Sequence, residues 1–123
     1  MTTELNYVYR KLGIKRTNVR WSMGGRDQDG KIYLNLWWHL FNGNEYVYQR
    51  RPGTESPGFN EMRTLIKDAL ANHGGIIGGI IVIAKDKDAS PRQVARAWRT
   101  SDMRIVSFDE EADKFTAIRM SKS

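Results

Sequence analysis

Hydrolysis or group transfer requires a nucleophile beside a base, a pair of converging carboxylates or a metal site, and no such set stands out in this sequence. The chain has no cysteine and two histidines, His39 and His73. Thiol catalysis, disulfides and cysteine-ligated metal centres are therefore excluded, and a transition metal would find few ligands. Asp86 and Asp88 alternate with Lys85 and Lys87 where an apolar stretch ends, a setting that could suggest a nuclease-like acidic cluster. Ile83 occupies the acidic position before Lys85, so the acid-x-lysine order fails and the cluster reads as a solvated strand end. Gly24-Gly25-Arg26 lacks the lysine-threonine ending and following helix of a phosphate-cradling loop. His73, near the end of an amphipathic segment, reads as a cap on a helix dipole. The expectation is a non-enzyme, without cofactor or metal.

Binding chemistry is better represented. In YLNLWWHLF, Tyr33 to Phe41, strand alternation sends Trp37 and Trp38 to opposite faces. If Trp38 packs with Leu34 and Leu36, then Tyr33, Asn35, Trp37 and His39 share the other face, opposed by Arg20, Ser22 and Gly24 from the preceding strand. Such a face is aromatic and hydrogen-bonding at once. Nucleobases stack on Trp and Tyr for roughly 1 to 3 kcal/mol each, and Asn35, Ser22 or His39 could read a base edge. The competing possibility is that Trp37 and Tyr33 form a second core under the N-terminal helix or the loop 51–58.

Charge points the same way. Lys and Arg outnumber Asp and Glu by 20 to 14, a net charge of +6, which favours phosphate-bearing partners through counterion release or simply keeps a small protein soluble. Arg20, Lys85, Arg92 and Arg96 are the candidate phosphate contacts. Ser90 and Pro91 form an N-cap and first-turn pair, and the amides of a helix starting there could hold a phosphate together with Arg92.

The elements that must position these groups follow from periodicity. Residues 1–13 form an N-terminal helix that Gly13 ends, with Leu5, Tyr9 and Leu12 on one stripe and Tyr7 off it. Residues 19–26 and 31–41 read as a hairpin around DQDG, with Arg26 opposite Lys31 and Met23 opposite Leu34. Asn42-Gly43 is a hairpin signal leading to EYVYQR. A two-residue loop there would put Val47 beside Trp38, and Tyr46 and Tyr48 with Trp37. RPGTESPG, 51–58, is expected to be a mobile loop. Residues 59–73 are the best helix, with Gly74 as its stop. IIGGIIVIA, 76–84, is a central strand covered on both faces, and Gly78-Gly79 marks a bulge or a close backbone approach. A second helix over 91–100 is predicted to turn Val94, Ala97 and Trp98 inward, followed by a closing hairpin.

One core and one domain over residues 1–123 fit this length. The longest apolar run is too short to span a bilayer. The N-terminus has no positive leader followed by an apolar block, so a cytoplasmic protein with no membrane partner is expected.

Arg20-Trp21-Ser22-x-Gly24, the turn with Gly30, Tyr33-Leu-x-Leu-Trp37, the amphipathic helix, Ala84-Lys85-Asp86 and Ala89-x-Pro91-Arg92 resemble the SRA-like domains at the N-terminus of HNH-type modification-dependent restriction endonucleases. Those domains are related in shape to PUA-type barrels. The resemblance covers roughly residues 19–120. It implies an α+β fold with a curved antiparallel or mixed sheet, an open PUA- or SRA-like barrel carrying two or three helices. It implies recognition of a modified base in DNA, with Trp21, Ser22, Gly24, Trp37 and Arg92 at the matching positions. Where the family tends to place an acid after the tryptophan, this chain has Trp38 and His39. The expected function is non-catalytic nucleic-acid binding, DNA ahead of RNA, in restriction-modification or phage defence, with a separate nuclease or defence protein as a further candidate partner. The alternatives are a phage or plasmid counter-defence protein acting through protein binding and an RNA-binding PUA-like domain.

Overall fold

The computed structural model describes residues 3–14, 23–49, 57–86 and 94–120. Helix α1 spans Thr3–Leu12 and stops at Gly13, whose φ of +73° suits a residue without a Cβ. The strands are β1 (Gly24–Arg26), β2 (Ile32–Trp37), β3 (Phe41–Asn42), β4 (Glu45–Gln49), β5 (Ile76–Ala84), β6 (Val94–Asp109) and β7 (Lys114–Arg119), with helix α2 (Pro57–Asn72) between β4 and β5. They form one mixed sheet in the order β1-β2-β5-β6-β7-β4-β3, in which only β2 and β5 run parallel. The architecture is α+β, with an open curved sheet and two helices among the described residues.

Alternation assigns the faces. Tyr33, Asn35 and Trp37 share the outer face with Ile80 and Val82 of β5. The Tyr9 hydroxyl of α1 donates to the Asn35 side-chain oxygen, so α1 packs on that face. Ile32, Leu34 and Leu36 share the inner face. Arg26, paired with Ile32, bonds Asp68 of α2 at 2.8 Å, which puts α2 on the inner face with its buried stripe of Met62, Leu65, Ile66 and Ala69.

Curvature follows from one hydrogen bond. The Trp37 amide on β2 donates to the Tyr46 hydroxyl on β4 at 3.1 Å, although four strand spacings separate these strands in the sheet order. At about 4.8 Å per strand a flat sheet would hold them roughly 19 Å apart, far beyond the reach of one tyrosine. The sheet therefore curls towards its inner face without closing through backbone pairing.

As expected from its apolar run, β5 is central, buried on both faces, and irregular at Gly78–Ile80. Gly78 lies under Tyr33, and a Cβ there would come within 2.4 Å of that ring. The closing hairpin of β6 and β7 and the helix ending before Gly74 also form as the patterns predict.

Several expectations are corrected. Residues 94–100 continue β6 and are not helical, because this segment pairs along β5 and satisfies a central strand's edge, which outweighs local helix preference. Residues 91–93 of the predicted helix lie outside the described residues. The first hairpin is shifted by one: Arg26 pairs with Ile32 and Gly24 with Leu34, because the Asp27 carboxylate, accepting from the Asp29 and Lys31 amides, widens the turn. The second hairpin turns on Gly43-Asn44, pairing Phe41 with Tyr46, so Tyr46 faces inward and Val47 does not meet Trp38. Pro57 and Gly58 belong to α2, while 51–56 lie outside the described residues.

Candidate nucleic-acid interface

The face anticipated as an open platform is closed. Tyr33, Asn35 and Trp37 are buried, Trp37 to 8% exposure; β2 lies between two paired strands, and Tyr9 of α1, a helix that packs along β6, reaches Asn35 on its outer face. The second-core alternative thus describes these residues. Gly24 is buried too, and a Cβ on it would meet the Tyr33 carbonyl at 2.2 Å, which leaves no room for a ligand. His39 is exposed, with its ring 6.3 Å from that of Trp37. Lys85 and Arg96 are exposed on β5's end and β6. Arg20, Trp21, Ser22 and Arg92 lie outside the described residues.

A polar network borders this second core. Lys31 bonds both Asp102 oxygens at 3.0 Å, and Arg99 bonds Asp102 at 2.6 Å and the Gly79 carbonyl at 3.1 Å. Arg99 also lies over the Tyr33 ring, 5.4 Å from its centroid, and Lys31 5.7 Å from it. The three-residue step from Arg99 to Asp102 is opposed by a two-residue step on β5, from Ile80 to Gly78, and this bulge brings both side chains to the outer face. Burial, with the Asp27 carboxylate nearby, raises the Tyr33 pKa. Burial also pushes the Asp102 carboxyl upward, but hydrogen bonds from Lys31 and Arg99 and their charges outweigh it and hold the group below the usual carboxylate value.

Asp102 therefore contributes stability above the unfolded carboxylate pKa of about 4, and that contribution is lost as pH falls through the lower folded value. Asp102→Asn is expected to lower stability by about 1 to 2 kcal/mol at neutral pH. In urea titrations the difference from the unsubstituted protein shrinks as pH drops below about 4. A difference independent of pH would contradict this role.

The accessible aromatic surface lies elsewhere. After β2 the chain enters a 3-10 turn, Trp38–Leu40, which breaks the alternation and brings Trp38 out to 49% exposure. The Trp38 ring lies 6.0 Å from that of Trp98 on β6 and 6.4 Å from Phe41. Arg119 lies over Phe41, 4.9 Å from its ring centroid. Arg96 precedes Trp98 by two residues on the same strand and so shares its face. The roles expected of the tandem tryptophans are therefore reversed. Strand alternation carried past its true end concealed Trp38, and the helix predicted over 91–100 concealed Trp98. The basic residues flanking Trp98, Arg96 and Arg99 in the stretch 94–100, were the available clue.

Among the described residues no cluster of His, Cys, Asp or Glu could hold a metal ion, and no helix is long and apolar enough to cross a membrane. No known protein family, curated protein or solved structure matches this chain.

Proposed function

We propose that this protein binds nucleic acid without catalysing a reaction on it, using Trp38 and Trp98 as a stacking surface, with Arg96 on the same face of β6 and Arg119 over Phe41 supplying positive charge. The observation that carries the proposal is the half-exposed Trp38 ring in contact with a second indole, on a chain of net charge +6. An accessible indole offers a sequence-tolerant face for a base, and basic side chains beside it neutralise the phosphates.

The finer reading is an SRA-like, PUA-shaped domain that recognises a modified base in DNA, and the open curved sheet is compatible with it. Trp38 then takes the place that the sequence pattern offered to Trp37. A protein partner in a defence or counter-defence setting would use the same indoles as interface anchors.

Tryptophan fluorescence and anisotropy titrations with single-stranded DNA, RNA, and duplex DNA with and without a modified cytosine test the proposal. Binding is expected to quench the indoles and to weaken with salt. For roughly three phosphate contacts, a fourfold rise in salt lowers affinity about 40-fold for duplex DNA and about 20-fold for a single strand. Preference for the modified duplex would support the finer reading. Absence of binding to every one of these ligands at low salt would overturn nucleic-acid binding and leave the protein partner.

A further inference from the structure

The outer face of β6, β7 and β4 carries a row of residues that complements itself. Arg104 on β6 and Glu45 on β4 both pair with Ile118 on the strand between them, so the order across the sheet is cation, apolar residue, anion. Because β6 and β4 both run antiparallel to β7, they run parallel to each other. β6 bulges between Ile105 and Ser107, so Ser107 is level with Val47 across Thr116, and the bulged Val106 lies beside it on the same side of that row. Ile118 is 40% exposed and Val106 50%. Arg104, Val106 and Ile118 line an open groove with Arg119 and Met120. Arg104 and Glu45 make no ion pair among the described residues, being held about two strand spacings, roughly 10 Å, apart.

We propose that this face is a dimer interface whose occupant is a second copy of the chain, related by a two-fold axis along β7. Rotation about that axis lays Ile118 on its counterpart and each Arg104 on the partner's Glu45, and it brings the bulge of Val106 and Ser107 towards the partner's Val47. An axis across the strands would instead set Arg104 against the partner's Arg104 and is disfavoured by like charge. A two-fold contact requires such a self-complementary patch. Its size sets its strength: three strands about 4.8 Å apart and about six residues long cover roughly 300 Å² in projection, below the roughly 800 Å² per partner of a standard stable interface. The dimer is accordingly weak. It leaves Trp38 and Trp98 uncovered, since they belong to the inner face, so it stands or falls separately from nucleic-acid binding.

Sedimentation velocity on the full chain without nucleic acid, from about 1 to about 500 μM, tests it. The expected result is a reversible monomer–dimer equilibrium with a dissociation constant in the micromolar range. Arg104→Glu and Glu45→Arg should each leave only monomer, and the two together should restore the dimer. Circular dichroism checks folding, and because the single variants lie on different strands, either one alone tests the contact. A monomer at every concentration, or a dimer indifferent to both single substitutions, would overturn the proposal. So would failure of the double variant to restore association when both single variants are folded and monomeric.

Discussion

Trp37→Ala is expected to destabilise the protein by about 3 to 5 kcal/mol, the range for truncating a buried large aromatic. For a chain of this length that corresponds to a fall in Tm of roughly 10 to 20 °C. The cause is the second core: Trp37 is buried beside Val82 on the outer face, while its backbone amide ties β2 to Tyr46. Truncation leaves a cavity at the end of β2 where the sheet is held curled. Thermal denaturation followed by circular dichroism measures the effect. A Tm within about 2 °C of the unsubstituted protein would show that Trp37 contributes little packing, contrary to its burial.

Trp38→Ala should do the opposite. Its ring is half exposed, and it loses only edge contacts with Trp98 and Phe41, worth about 0.5 to 1.5 kcal/mol per aromatic pair. Affinity for single-stranded DNA at low salt is expected to fall by about 5- to 150-fold, the equivalent of 1 to 3 kcal/mol for one stacked base. Anisotropy titration of both tryptophan variants makes the comparison direct. Unchanged affinity in a folded Trp38→Ala protein would remove the indole from the interface.

The contrast between these neighbours marks where sequence patterns stop being sufficient. Helical spacing of Leu5, Tyr9 and Leu12 announced α1 with its glycine stop, and the stripe from Phe59 to Ala69 announced α2. The unbroken apolar run of β5 announced a strand covered on both faces, with its double glycine at the irregular register. These are local signals, because side-chain period and backbone freedom are properties of a few consecutive residues.

The candidate surface was less legible. Arg104, Ile118 and Glu45 lie on three strands and form a row only through cross-strand register. Val94 to Thr100 has a helix-compatible apolar pattern, but β5 offers it a complete ladder of backbone hydrogen bonds, and long-range pairing overrides a weak local preference. Likewise, the two-residue turn could be anticipated from Asn42-Gly43, whereas its placement one residue later was decided by the pairing of β4 with β7.

Composition and periodicity thus determined a positively charged chain with two helices and a buried central strand. Which tryptophan remained accessible was decided by the assembled fold, through the 3-10 turn after β2 and the helix on the outer face of the sheet, whose Tyr9 reaches Asn35. Exposure depends on what packs against a residue, and here that neighbour comes from a segment more than twenty residues away in the chain.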